Sequence, residues 1–340
     1  MKSLPFNILV GQYSDPHHLG FCALTLTLDG QLAQQTKLTN ICDASYLVKT
    51  DSGIYVVSEQ YQQDGAALYF VSHQGAILQR IALEGDAPCH IAISKDLNLI
   101  AVAHYGTGNF ELFRLTSNGM IEDRISIITN KGHGPHPDRQ LAPHGHQVAF
   151  IPNCSVFMTV DLGIDMLTFY EQHNEELEEL QRLELPPGSG PRHAVFSCDG
   201  RIGFVLCELD ESLVVIRRNR DKRWEVIANL DGFPEYKCHG AAAAIKLSAD
   251  QRYLYLTSRG ESIISWFDVS EPTNPVYQGH VSSGGDFPRD LSLSSDGKWL
   301  ITANQRSHSV GLFSLNHETG QPTLVSKIEN IAAPACIVVD

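Results

Sequence analysis

Histidines, arginines and carboxylates in this chain recur at two fixed places in a repeating unit, and those places are where chemistry is expected. Four openings are plain: Pro88-Cys89-His90, Pro143-His144-Gly145-His146, Pro191-Arg192-His193 and Pro288-Arg289-Asp290. Each is followed by an apolar run, a turn near Asp or Asn, and a second apolar run ending in polar residues. The endings include His104-Tyr105, Asp161, Glu208, Arg259 and Asn304-Gln305, with a weaker early copy ending at Glu59. Imidazole and carboxylate groups can trade protons near neutral pH. Guanidinium groups can stabilise a developing oxyanion, or grip carboxylate or phosphate oxygens.

A repeat can also keep one polar residue per unit merely to hydrogen-bond neighbouring strands. Such glue reuses one residue type. Here the type changes from unit to unit: imidazoles, then arginine with a carboxylate, then arginines. Three arginines at these places in a chain of net charge −14 point to a local anion site.

The elements that must position these residues follow from the same pattern. Ala194 to Phe196 reads as a strand, Asp199-Gly200 as its turn and Ile202 to Cys207 as the return strand. A tight turn brings the start of the first strand and the end of the return strand side by side. Unit starts fall near 45, 88, 145, 191, 241, 288 and 334. A spacing of about 45–50 residues is that of a four-stranded propeller blade. The last unit stops after one strand, and Ile8 to Ser14 reads like the missing return strand. The expectation is an all-β, seven-bladed β-propeller spanning 1–340 as a single domain. Its two chain ends share one blade, so no long edge is left open.

Composition narrows the partners. Net negative charge argues against nucleic acid or an anionic membrane, and no apolar run is long enough to span a bilayer. The start lacks a basic-then-apolar leader pattern, so a cytoplasmic location is expected. Eight scattered cysteines without a Cys-x-x-Cys pair read as buried thiols. The acidic run from Glu175 to Glu179 reads as a solvated strand or loop face. His133, His136, His144 and His146, with Asp138 nearby, could in principle hold zinc. Neither a cysteine pair nor a helical histidine spacing supports it, and no metal or organic cofactor is expected. A nucleophilic serine triad finds no Gly-x-Ser-x-Gly elbow. A closed propeller needs no partner to fold, so a monomer or weak homodimer is expected.

In order and spacing the chain resembles the lactonase family of seven-bladed propellers. The matching stretches are Gly11 to Ser14, Ala44 to Leu47, Pro88 to Ile91, Arg139-Gln140 with Pro143 to His146, Asp161 to Gly163, Gly188 to His193, Cys207 to Leu209, Ser258 to Gly260 and Phe287 to Arg289. The family includes bacterial 6-phosphogluconolactonase and is similar to fungal carboxy-muconate lactonizing enzymes. The resemblance implies His144, Arg192, Glu208 and Arg259 as active residues. Ala103-His104-Tyr105 stands where the family commonly has Asn, and Ser258 replaces an Asn.

Hydrolysing a lactone needs a base for water, positive charge at the carbonyl oxygen and an acid for the leaving ring oxygen. Glu208 and His144 are the acid/base candidates, with Arg192 and Arg259 for charge. His90, His146, His193 and Arg289 are expected to contact a small anionic sugar lactone. The implied reaction is 6-phosphogluconolactone hydrolysis in the pentose phosphate pathway. The alternatives are a cycloisomerase or other lactonase, and a non-catalytic binding propeller. The residues leave open which of Glu208 and His144 is the base. Replacing Glu208 or Arg192 is expected to abolish turnover with little change in thermal stability.

Overall fold

Strands buried on both faces read as continuous apolar runs, and every unit of this chain contains one. β5 (Ile54–Ser58), β9 (Leu99–His104), β13 (Val156–Asp161), β17 (Ile202–Cys207) and β21 (Tyr253–Ser258) are buried along their whole lengths. The fourth strand of each unit alternates instead, as in β7 (Ile77–Ala82), where one face meets solvent.

The structure is a computed structural model that describes residues 6–14, 20–27, 30–173 and 176–339. Its strands form seven four-stranded antiparallel sheets. Observed first strands begin at Tyr46, Pro88, Gly145, Pro191, Ala242, Pro288 and Pro334, each within one residue of the repeat starts read from the sequence. Among the described residues no helix is long and apolar enough to cross a membrane. Leu28, Asp29, Glu175 and Asp340, which figure in the sequence reading, lie outside the described residues. Glu176, Glu178 and Glu179 are exposed on the fourth strand of their sheet, β15 (Glu176–Glu184).

The chain divides into two compact units, Met1–Ser45 with Gly232–Asp340, and Tyr46–Asp231. The first holds three sheets. In one of them β28 (Pro334–Val339) pairs with β1 (Phe6–Gln12), with Val10 opposite Ile337 and Gly11 opposite Cys336. That pairing joins the two chain ends in one blade, as the incomplete last repeat requires. The second unit holds four sheets, with β4 (Tyr46–Lys49), β8 (Pro88–Ser94), β12 (Gly145–Phe150) and β16 (Pro191–Phe196) as first strands.

Cores lie between successive sheets. In the second unit Met158, Val160, Leu167 and Phe169 of one sheet pack on Val205, Val214, Ile216 and Trp224 of the next. Phe169 and Trp224 stack with centroids 5.0 Å apart. Each fully buried side chain of this size contributes about 1.5–3 kcal/mol. The turns are locked locally: Ser197 and Ser294 donate hydroxyl hydrogen bonds of 2.6 and 2.7 Å to Asp199 and Asp296.

The eight cysteines are thiols rather than disulfides. Cys207 is fully buried at the end of β17, and burial pushes its thiol pKa up to about 12. Thiol titration at pH 8 is therefore expected to label exposed Cys42, Cys198 and Cys238 in the folded protein, and Cys207 only after denaturation. Rapid labelling of Cys207 under native conditions would contradict this packing.

Candidate active site

A β-bulge opens the first strand of several sheets and re-aims one side chain in each. In β8 Pro88 lies opposite His104 and His90 opposite Ala103, so Cys89 is the extra residue. The same shift makes His146 the extra residue of β12, Arg192 of β16 and Arg289 of β24 (Pro288–Leu293). Gly145 thus takes the structural place of the opening proline, and His144 lies one position ahead of the strand.

At the far end of the return strand, the next residue donates its backbone N–H to the carbonyl just ahead of the first strand. Tyr105 bonds Ala87 at 2.9 Å, Leu162 bonds His144 at 2.9 Å and Glu208 bonds Gly190 at 2.7 Å. The two polar places read from the sequence are thereby brought side by side.

Within the Tyr46–Asp231 unit these devices assemble one cluster. Glu208 is 2% exposed and has a guanidinium near each carboxylate oxygen. Arg139 Nη2 donates to Oε1 at 2.6 Å, and Arg192 Nε lies 3.1 Å from Oε2. Arg192 Nη1 also approaches His193 Nδ1 at 3.3 Å, and since guanidinium only donates, that nitrogen accepts. Arg139 Nη2 donates a second bond, of 3.0 Å, to the Tyr105 hydroxyl. Burial acts to lower the Arg139 pKa, but Glu208 and Tyr105 more than offset it and hold the group above its usual value. Burial raises the Tyr105 pKa, with Arg139 pulling it partly back.

The Tyr105 ring stacks on His144 with centroids 4.5 Å apart. His144 Nδ1 lies 2.7 Å from the Tyr105 carbonyl oxygen. A carbonyl cannot donate, so His144 Nδ1 carries a proton in this contact. The backbone of His144 is fixed by buried Asp161, whose Oδ1 accepts from His144 N at 2.8 Å and Gly163 N at 3.0 Å. Its Oδ2 accepts from Asn130 Nδ2 at 2.7 Å. Burial raises the Asp161 pKa, and these three bonds pull it back in part.

His146 and His193 meet edge to face at 5.2 Å, His90 and His193 at 5.4 Å, and Tyr46 lies 4.4 Å from His90. Six of the eight residues expected from sequence, His90, His144, His146, Arg192, His193 and Glu208, therefore fall in one cluster. The other two belong to the first unit. There Arg259 donates from Nε to the Ala241 carbonyl at 3.0 Å and lies over the Phe287 ring at 5.2 Å. Arg289 Nη2 donates to the Tyr13 hydroxyl at 2.6 Å.

Arg139 and Tyr46 were not among the expected site residues. Arg139 sits in the long connection after β11 (Ile121–Thr129), outside the repeat, and only the Arg139-Gln140 family stretch marked it. That connection is rigidly held. Fully buried Gln140 donates to Leu162 O at 2.8 Å and Asp165 Oδ1 at 2.7 Å, while His136 Nδ1 accepts from Arg139 N at 3.2 Å. The histidines of this segment do not form a ligand set. His133 is exposed, His136 serves the loop, and among the described residues no three His, Cys, Asp or Glu groups come together to hold a metal.

Some polar repeat residues are glue. Gln147 Oε1 accepts from Ala194 N at 2.6 Å in the next sheet, and Asp290 Oδ2 accepts from Ile337 N at 2.8 Å. They occupy the register position that His90 and His193 hold in their own sheets.

The family described as "Lactonase, 7-bladed beta-propeller" matches residues 7–339, and the chain belongs to it. It is thus an all-β seven-bladed propeller of the lactone-hydrolysing ester hydrolase class. Among its relatives, the 6-phosphogluconolactonase of Bacillus subtilis (strain 168) is 26% identical over 337 residues, covering 96% of each chain. A Lactobacillus plantarum protein of solved structure is 26% identical with a TM-score of 0.91, covering 99% of each chain. The periplasmic gluconolactonase PpgL of Pseudomonas aeruginosa shares the fold, at 24% identity and a TM-score of 0.87, again over 99% of each chain.

Asp161→Ala would strip the acceptor from three donors that anchor His144. It is expected to destabilise the protein by about 3 kcal/mol or more, with Asp161→Asn costing less. Urea unfolding measures both, and a wild-type midpoint for Asp161→Ala would refute the anchoring.

Proposed function

We propose that the protein hydrolyses a sugar lactone, 6-phosphogluconolactone first among them, to the open-chain acid. The observation that carries this reading is the His144 ring, held by the Tyr105 carbonyl at Nδ1 and stacked on the Tyr105 ring, beside an Arg139–Glu208–Arg192 ion group. Two guanidiniums against one carboxylate leave one net positive charge there, in a chain of net −14. That charge favours an anionic substrate and a developing oxyanion.

His144 Nε2 takes a proton from water as the oxygen attacks the lactone carbonyl carbon. The carbonyl oxygen becomes an oxyanion, stabilised by the positive group. Collapse re-forms the carbonyl and breaks the bond to the ring oxygen, which takes the proton back from His144. The product is a hydroxy acid, and lactone plus water balances. Glu208 is the weaker base candidate because both its oxygens are committed to guanidinium donors. Its role is to hold the two arginines in place. His90, His146 and His193 provide a wall of rings for the sugar. Arg259 keeps the role that family resemblance implies and Arg289 its expected role as a substrate contact, which Arg259→Ala and Arg289→Ala test directly. Support for phosphogluconolactone itself comes from the name of the Bacillus relative.

Hydrolysis of freshly generated 6-phosphogluconolactone by EDTA-treated protein, against the spontaneous rate, tests the reading. His144→Gln is expected to lower kcat about 10²–10⁴-fold with little change in melting temperature. Glu208→Gln is expected to lose both activity and stability, about 3–5 kcal/mol, since it leaves a guanidinium buried without its counter-charge. This revises the expectation from sequence that Glu208 could be replaced at no cost to the fold. Wild-type activity in His144→Gln would remove it as the base, and no acceleration over the spontaneous rate would end the phosphogluconolactone reading.

A further inference from the structure

Arg139 is built differently from its neighbour Arg192. Only 4% of the Arg192 side chain is exposed, against 35% for Arg139. Both side-chain hydrogen bonds of Arg139, to Glu208 and Tyr105, leave from Nη2. Among the described residues Nη1 and Nε donate to nothing. Three N–H donors of a permanently charged group therefore stand at a solvent-reachable position beside His144 and Tyr105. The group is also preorganised. Its backbone N–H is bonded to His136, Gln140 pins the loop from within, and Glu208 and Tyr105 hold the guanidinium plane. A held donor loses little freedom when a ligand arrives.

We propose that Arg139 determines specificity for an anionic group carried on the lactone away from the reacting carbonyl, a phosphate or carboxylate received by its Nη1 and Nε donors. The proposal rests on the lactonase reading and refines its substrate class. A guanidinium has no acceptor, so its ligand must accept hydrogen bonds, and an anion accepts them most strongly. A neutral lactone would leave the donors to water. An anionic one would be anchored with its ring toward His144.

The test compares wild type, Arg139→Gln and Arg139→Lys on three lactones: neutral gluconolactone, 6-phosphogluconolactone and carboxylate-bearing glucarolactone. The readout is the ratio of kcat/KM for each charged lactone to that for the neutral one. Wild type should prefer one charged lactone, and the preferred arm tells phosphate from carboxylate. Arg139→Gln should lose about 10- to 100-fold of that ratio, mainly through KM, and Arg139→Lys should restore part of it. A fall by the same factor on charged and neutral lactones would mean Arg139 serves only to hold Glu208, and would overturn the proposal while leaving the lactonase reading intact. So would a wild type without charge preference. Calorimetric binding of 6-phosphogluconate, glucarate and gluconate reads the contact without turnover. Selective loss of affinity in Arg139→Gln for an acid with a second anionic group, relative to gluconate, supports the proposal even if no lactone is hydrolysed, whereas equal affinity for all three acids overturns it.

Discussion

One backbone hydrogen bond, repeated from sheet to sheet, underlies the placement of the polar groups at the two repeat positions. The residue after the second strand donates its N–H to the carbonyl ahead of the first strand. Besides the three bonds in the site unit, Tyr13 reaches Ala333 at 3.1 Å, Arg259 reaches Ala241 at 3.0 Å and Gln305 reaches Phe287 at 3.0 Å. The accepting residue often takes a left-handed backbone conformation, as Ala87, Phe287 and Ala333 do without being glycine. Each such residue costs about 1–2 kcal/mol. The strain persists because packed sheets on either side fix the strands whose ends must meet. Only Gly190 meets the same demand with a residue suited to it.

The bulge adds direction to this placement. Without an extra residue, successive side chains would alternate strictly between the two faces of the first strand. With it, Arg192 and His193 serve one cluster although they are adjacent in sequence. Positions therefore sort by role. The extra residue is Cys89, His146, Arg192 or Arg289; the residue after it is an imidazole in two sheets and a strand-bonding Gln147 or Asp290 in two others. The residue past the return strand is Tyr13, Tyr105, Leu162, Glu208, Arg259 or Gln305. Site and glue use the same positions, so which one a residue becomes depends on its chemistry and on what the next sheet presents to it.

This explains what could be read from the sequence. Strand starts and the shared terminal blade follow from period and turn chemistry, which are local; the repeat also marks the polar places where the six clustered residues lie, while resemblance to the family singled out His144, Arg192 and Glu208 among them. Glu208 could be named from sequence, but its commitment to two arginines could not, because Arg139 comes from a connection with no repeat pattern, 69 residues away. The choice between His144 and Glu208 as base also needed tertiary contacts. It depends on a carbonyl donated by Tyr105 and on a guanidinium at each carboxylate oxygen. His104, where the family commonly has Asn, has a similar explanation. Its Nε2 lies 3.0 Å from Glu111 Oε1, with both side chains fully buried, so here the imidazole meets a carboxylate.

That second buried group sharpens the meaning of the first. Around Glu111, His104 approaches one oxygen, Arg124 Nε lies 2.6 Å from the other, and Arg124 also pairs with Glu84. The Glu84 backbone N–H donates to Glu111 as well, at 2.7 Å. Two carboxylates face one arginine and one histidine. Around Glu208 the balance is reversed: two arginines face one carboxylate, and the outer arginine keeps donors that no protein group takes. Burying ions is costly unless they are paired. The Glu208 group carries a surplus of positive charge, and it stands beside a histidine whose Nδ1 meets its neighbour's carbonyl.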